Sequence, residues 1–328
     1  TLPEGLAGMH DIFEIGLPPH ARIIPITKPD DRVGTPYIPC PPEKIAAIVL
    51  TDRRDEPQKF KPYSEATRTI GENVVKFLKQ EIAAGRLPEN PGPIQSGVGS
   101  VGNAVLSCLA SSGFHGLSMY TEVMQDSALN LIEQGVFDFV STSSIALGEE
   151  TRRRFYENID YFKDKILLRP QEITNHPEVV RRLGVISLNT PIEVDIYGNV
   201  NSTHIMGTKM MNGIGGSGDF ARNARVCIFA TESVAKGGLV SSCRWCRMWT
   251  RPSMTCRSSL PSRASPICDG RPRASVPSSL LKTARTRITG PCCANTTSTR
   301  STLRPESRRR TTWPRRCPGT SGFWPPAP

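Results

Sequence analysis

Apolar residues in this chain recur in two rhythms, and the rhythms alternate between residue 44 and about residue 230. Ile45-Ala46-Ala47-Ile48-Val49-Leu50 is a continuous apolar run, the pattern of a strand buried on both faces of a parallel sheet. Ile70, Val74, Phe77, Leu78 and Ile82 recur at helical spacing, and Gly85 and Pro88 close that helix. A strand-like Pro93-Ile94-Gln95 leads to a glycine-rich turn at Gly97–Gly102, and a helix is predicted from Asn103 to about Ser111. His115–Tyr120 is the next predicted strand, Ser127–Gln134 the next helix, and Phe137–Val140 the next strand. Glu149–Lys165 reads as one charged helix whose aromatic stripe, Phe155, Tyr156, Tyr161 and Phe162, suits a core face better than a cofactor box. Val185–Leu188 and Ile192–Ile196 read as strands. A second glycine-rich loop, Gly213–Gly218, precedes a helix starting at Phe220–Ala224 and a last strand at Val226–Ala230. Such alternation predicts an α/β fold with an open, mostly parallel sheet. Residues 1–43, rich in proline, read as an extended segment that wraps a surface. Residues 44–240 form the α/β domain, and no repeat is visible.

Composition changes this picture at one place. The formal charge of +11 is the sum of two unlike regions. Residues 241–328 hold 17 basic side chains, 16 of them Arg, against Asp269 and Glu306, a net of +15, whereas residues 1–240 hold 24 basic against 28 acidic, a net of −4. All four Trp and seven of the ten Cys fall in the second region, and none of the five His does. After Val240 periodicity is lost and apolar residues occur singly, so that no window could bury a core and a disordered tail is expected. The basic tail lacks aromatic or helical organisation for base readout, so no nucleic-acid partner is expected. No apolar run is long enough for a membrane helix. Thr1 in place of an initiator Met suggests that the natural beginning is missing, and no secretion leader is visible. Cys40, Cys108 and Cys227 are isolated, as in a reducing compartment, which points to the cytoplasm.

Two loops and one acid carry the candidate chemistry. Gly97-Val98-Gly99-Ser100-Val101-Gly102 is a G-x-G-x-x-G string between a strand and a helix, where glycines admit a diphosphate to backbone N–H groups at a helix N-terminus. Glu122 lies about 20 residues on, the spacing of an acid that meets a ribose hydroxyl, so an NAD-dependent oxidoreductase is one reading and a tight ligand-free turn another. Gly213-Ile214-Gly215-Gly216-Ser217-Gly218 is a second nest of N–H donors. An acyl-transfer enzyme needs such donors for its oxyanion; a flexible surface loop is the alternative. His204 has no second His or Cys at ligand spacing, so no metal is expected and a hydrogen-bonded structural histidine is the reading.

Long strings add what these patterns cannot. YTEVMQDS (Tyr120–Ser127), RPQEITNHPEVVRRLGVISLN (Arg169–Asn189) and DIYGNVNSTHIMGTKMMNGIGGSGDFARNA (Asp195–Ala224) resemble the acetyl-CoA hydrolase/transferase family of class I CoA-transferases, over roughly Leu2–Gly238. The resemblance implies a sheet of the CoA-transferase type and transfer of CoA between an acyl-CoA and a small carboxylate such as acetate, propionate or succinate. The alternative within the family is acyl-CoA hydrolysis. It implies that Glu122 attacks the thioester, forms a mixed anhydride and then holds CoA as a glutamyl thioester. Asn175 would orient the acyl carbonyl, with a helix N-cap as its plainer role. Gly97, Val98, Gly99, Ser100 and Val101 match a CoA-contacting loop; Asn212 and Gly216 match amides that hold CoA and the oxyanion; Lys236 matches a lysine paired with a CoA phosphate. Coenzyme A would be substrate and covalent intermediate, with no permanently bound cofactor, and the full-length protein would be a homodimer.

The same resemblance gives the tail an account. Cys243-Arg244-Trp245-Cys246 has C-x-x-C spacing, but no zinc-ribbon spacing follows. Back-translated and regrouped one base earlier, Ser242–Thr250 permits V-P-M-V-S-H-V-D, and residues 260–268 permit T-E-Q-G-L-A-D-L, strings found at these places in the family. A one-nucleotide frameshift near Gly238–Ser242 is therefore expected. The family's second active-site glutamate would then be lost near Pro261–Ser262, leaving this polypeptide poorly folded and inactive.

Overall fold

The computed structural model describes residues 8–52, 64–195, 199–205 and 209–232, together with the strand backbone at 242–243 and 258–261. The segment from Gly8 to Asp52 runs without helix or strand apart from one 3-10 turn, Pro42–Lys44. It buries Met9, Ile24 and Ile26, and it is bridged to the domain by the His10–Leu168 pair. The apolar run Ile45–Leu50 departs from the sequence expectation. It forms no strand, and Ile48, Val49 and Leu50 are 79%, 81% and 93% exposed. Such a run encodes a demand for burial but not the surface that meets it, and no described strand pairs with it.

Helix α1 (Glu65–Ala83) starts where the Ser64 hydroxyl accepts the Thr67 N–H at 3.2 Å, and its Ile70, Val74, Phe77 and Leu78 enter the core. Strand β1 (Ile94–Ser96) and helix α2 (Ser100–Ala110) flank the first glycine loop. Strand β2 (Leu117–Met124), helix α3 (Asp126–Glu133) and strand β3 (Phe137–Ile145) follow, both strands running several residues past their predicted ends. The predicted helix over 149–165 is two helices, α4 (Glu149–Glu157) and α5 (Ile159–Lys163), which part at Asn158, whose side-chain amide donates to the Arg154 carbonyl. Only half of its aromatic stripe is core: Phe155 and Phe162 are buried, whereas Tyr156 and Tyr161 pack their rings edge-on to them and reach solvent.

Strand β4 (Ile166–Leu168), helices α6 (Gln171–Thr174) and α7 (Pro177–Leu183) and strand β5 (Ile186–Asn189) complete the middle of the domain. Short strands β6 (Glu193–Asp195), β7 (Val200–Asn201), β8 (His204–Ile205) and β9 (Lys209–Met210) precede helix α8 (Ser217–Asn223) and strand β10 (Val226–Thr231). In the region expected to be disordered, β11 (Ser242–Cys243) pairs with β6, and β12 (Ser258–Pro261) pairs with β10. The rest of that region lies outside the described residues, as does all of 289–328, a separate unit of the chain.

The main sheet is parallel throughout, in the order β12-β10-β5-β1-β2-β3-β4. The expected open parallel sheet is therefore present, and its apolar strands are sandwiched as such sheets require. One core cluster holds α1, α2 and α3 against it; a second gathers Ile24, Ile26, Tyr120, Ile173, Val179, Val180 and Phe220. The chain leaves β1 toward β2 on one side and returns to β5 on the other. The reversal of strand order thus falls at β1, where open α/β sheets form their ligand crevice at the carboxyl ends of strands.

Candidate active site

The first loop leaves the carboxyl end of β1 at that reversal, and each of its glycines answers a separate constraint. At Gly97, whose N–H bonds the Leu188 carbonyl at 2.7 Å, a Cβ would lie 3.0 Å from Asn189 Oδ1 and 3.4 Å from that same carbonyl oxygen. Gly99 adopts φ 127°, ψ −178°, a region open to glycine alone. At Gly102 a Cβ would lie 2.3 Å from the Gly97 carbonyl oxygen. Val98 is exposed, and Ser100 and Val101 begin α2, whose first N–H groups are left without a side-chain cap. Gln125, 1% exposed, brackets the loop: its Oε1 accepts the Gly99 N–H at 3.2 Å and its Nε2 donates to the Gly97 carbonyl at 3.4 Å. Below the loop, Gln95, Ser187 and Asn189 form a buried network, in which Ser187 Oγ and Asn189 Nδ2 donate to Gln95 Oε1 at 2.8 and 3.0 Å.

Glu122 lies inside β2, not beyond its end. Its backbone carbonyl accepts hydroxyls of β3: Ser143 at 2.6 Å, Thr142 at 3.0 Å and Ser144 at 3.5 Å. The nucleophile candidate is thus held at its root by a neighbouring strand. Its half-buried carboxylate accepts two hydrogen bonds. Gly216 donates its N–H to Oε2 at 2.8 Å, and Gln171 donates its Nε2–H to Oε1 at 3.0 Å. Gly216 has ordinary helical angles, φ −76°, ψ −8°, so it is not glycine for conformational reasons. A Cβ there would fall 2.2 Å from both Glu122 Oε2 and Asn175 Nδ2. The missing side chain is what lets carboxylate, side-chain amide and backbone N–H converge on one point.

Asn175 is buried, and Thr174 Oγ1 donates to its Oδ1 at 3.0 Å, which turns Nδ2 toward that point. It follows α6 as its C-cap residue, so the N-cap role weighed for it is absent. The loop bearing Gln171 and Asn175 is itself secured. The Tyr120 hydroxyl, fully buried so that burial pushes its pKa up, donates to the Ile173 carbonyl at 3.0 Å. Arg169, also fully buried, donates to the Asp11 carboxylate, the Asp31 carbonyl, Ser141 Oγ at 2.8 Å and the Pro29 carbonyl at 3.2 Å, which ties the N-terminal segment to the residues just ahead of Gln171.

Sequence reasoning picked out Glu122, Asn175 and Gly216, and the fold brings all three together. Asn212 is not brought in: it is exposed, and its amide donates to the Ser202 carbonyl at 3.5 Å. Lys236 lies outside the described residues. His204 pairs its Nδ1 with Thr203 Oγ1 at 2.7 Å, the structural bond expected of it. No cluster of metal-ligating side chains exists among the described residues. Gln171 and Gln125 were missed. Their sole sequence signal was membership of the RPQ and MQDS strings, since a contact across 49 residues leaves no local pattern.

Residues 152–259 match the family described as acetyl-CoA hydrolase/transferase C-terminal domain. This stretch belongs to the acetyl-CoA hydrolase/transferase family. The match runs past the break in composition near residue 240. The chain is 55% identical over 240 residues to a succinyl-CoA:acetate CoA-transferase of Clostridium kluyveri, covering 73% of this chain and 45% of that protein. It is 46% identical over 234 residues to an acetyl-CoA hydrolase of Schizosaccharomyces pombe (71% and 45% covered). It is 45% identical over 238 residues to a propanoyl-CoA:succinate CoA transferase of Escherichia coli (72% and 48% covered). The chain therefore spans a little under half the length of these curated relatives. Among solved structures, its fold is like that of RipA from Yersinia pestis (TM-score 0.55, 21% identity, 70% of this chain and 51% of that one). A citrate lyase alpha subunit from Streptococcus mutans shares it too (TM-score 0.50, 16% identity, 71% and 46% covered).

Proposed function

We propose that this chain carries the catalytic glutamate of an enzyme that moves CoA between an acyl-CoA and a small carboxylate. The observation that carries the reading is the convergence at Gly216: Glu122 Oε2 accepts its N–H at 2.8 Å, and the Asn175 amide reaches the same point. A carboxylate is ionised at neutral pH and needs no general base to act as nucleophile. One oxygen of Glu122 bonds to the acyl carbon, and the C–S bond breaks with the electron pair leaving on the CoA sulfur. The thiolate then attacks the Glu122 carboxyl carbon and expels the acyl group as a carboxylate, which leaves a glutamyl-CoA thioester. Each step passes through an oxyanion, and we assign to that charge two donors that converge beside the Glu122 carboxylate, the Gly216 N–H and Asn175 Nδ2. The N-terminus of α2 suits a CoA phosphate.

Hydrolysis is the second reading, favoured by the 46% identity to a protein named acetyl-CoA hydrolase. It differs only in whether water or a carboxylate resolves the thioester. The nicotinamide reading of Gly97–Gly102 loses its ribose-binding acid, because the Glu122 carboxylate is bound by the second loop.

The frameshift remains part of the proposal, and resequencing the gene tests it: a read confirming this frame, with relatives sharing the tail, overturns it. The catalytic reading is tested in the full-length protein with the frame restored, or in the chain as translated if resequencing confirms it. Borohydride trapping or mass detection should find a CoA adduct on Glu122. Absence of the adduct with every acyl-CoA tried removes the mechanism.

A further inference from the structure

We propose that Gln171 is the residue that binds the acceptor carboxylate and so sets transfer against hydrolysis. The proposal rests on the glutamyl-CoA reading above. The two donors on Glu122 differ in kind. The Gly216 N–H is backbone, buried, and packed too closely for a Cβ. Gln171 is an exposed side chain at the first position of α6, able to swing. The two carboxylate oxygens also have different fates. The one at the Gly216 position stays on Glu122 and takes up the negative charge when thiolate attacks the carboxyl carbon. A fixed donor serves it best. The one at the Gln171 position forms the bond to the acyl carbon, loses its charge, and departs with the acyl group as the product carboxylate.

That position is therefore refilled in every cycle. An acceptor carboxylate attacks the glutamyl thioester through one oxygen, the C–S bond breaks, and CoA thiolate leaves with the electron pair. The thiolate then attacks the acyl carbon of the new anhydride, and the acceptor's oxygen stays on Glu122 in place of the one lost. The Gln171 amide, which holds that oxygen at 3.0 Å in the free protein, stands where the incoming oxygen must arrive. Among the described residues no Lys or Arg makes a hydrogen bond or ion pair with Glu122, so this amide is the side-chain donor on that side. Water needs no such donor, because it brings no carboxylate to orient.

The test uses the full-length protein defined above and compares wild type with Gln171→Leu and Gln171→Asn. Trapped adduct is measured first, then its decay with acetate or succinate and with water alone. For Gln171→Leu we expect KM for the acceptor carboxylate to rise about tenfold, the worth of one hydrogen bond to a charged group, while hydrolysis of the adduct changes less than twofold. Gln171→Asn should recover part of the acceptor affinity. An unchanged acceptor KM, or transfer and hydrolysis falling by one common factor, overturns the role of Gln171. Failure of wild type to form any adduct is a different result and removes the parent mechanism.

Discussion

The two glycine loops look alike in sequence, yet their glycines are there for different reasons. In Gly97–Gly102 the requirements come from the fold: Gly99 needs a positive φ, and Gly102 must leave room for a backbone carbonyl. In the second loop Gly216 is crowded, and what crowds it is the Glu122 carboxylate and the Asn175 amide; around Gly213 and Gly215 a Cβ would meet nothing within 4 Å. The string that matches a ligand fingerprint is thus spent largely on building the turn. The string that matches no short motif holds a donor for the Glu122 carboxylate, the proposed nucleophile. A glycine motif identifies a place where the backbone must come close to something, and only the coordinates say whether that something is protein or ligand.

Replacement of Gly216 should separate the two kinds of requirement most sharply. Gly216→Ala places a methyl 2.2 Å from two side-chain ends, which can swing aside. We expect Glu122 and Asn175 to lose their shared geometry, with kcat falling a hundredfold or more, about 3 kcal/mol in barrier. Stability should change by less than about 1 kcal/mol, because flexible side chains absorb the contact. Thermal unfolding and steady-state transfer assays read the two quantities. A large loss of stability would make Gly216 a second fold glycine and erase the contrast.

Gly102→Ala is the mirror case. Its methyl would meet the Gly97 carbonyl oxygen at 2.3 Å and Ser96 Oγ at 2.7 Å inside a buried helix start. A backbone obstacle cannot swing, so we expect a destabilisation of about 3 kcal/mol by denaturant titration. A stable variant that has lost CoA affinity alone would return the first loop to the ligand.

Much of the fold and of the site is legible in the sequence, and the rest is not for specific physical reasons. The helix around Ile70–Ile82 and the strand at Ile94 were visible because local periodicity alone decides them. Glu122 was visible through its long motif, but its place within β2 was not, since the extension beyond Tyr120 depends on pairing with Thr142 and Ser144. The run Ile45–Leu50 is continuously apolar, as a buried strand would be, and forms none, because such a run reports the need for burial and not the partner. Gln171 and Gln125 were invisible for the opposite reason: both are polar, and their importance lies in partners 49 and 26 residues away.

Gly99→Ala should have an intermediate effect. At φ 127° an alanine is strained whatever the space around it, and nothing lies within 4 Å of its Cβ. A cost of about 2 kcal/mol is expected. The strain relaxes by turning the peptide whose N–H now bonds Gln125 Oε1. CoA affinity should weaken together with stability, measured by calorimetry alongside unfolding.

The smallest effect should come from Gly213, and it tests whether glycine density itself matters in the second loop. Gly213 is exposed, has no positive φ, and its Cβ would enter open space. If the loop acts through the single N–H of Gly216, Gly213→Ala should leave transfer rates within about twofold and should raise stability by about 0.5 kcal/mol through the lower entropy of the unfolded chain. If instead the loop must rearrange its whole backbone around CoA, the same substitution should slow turnover at unchanged stability. The second outcome would mean that the two loops differ not in what their glycines touch but in when they move.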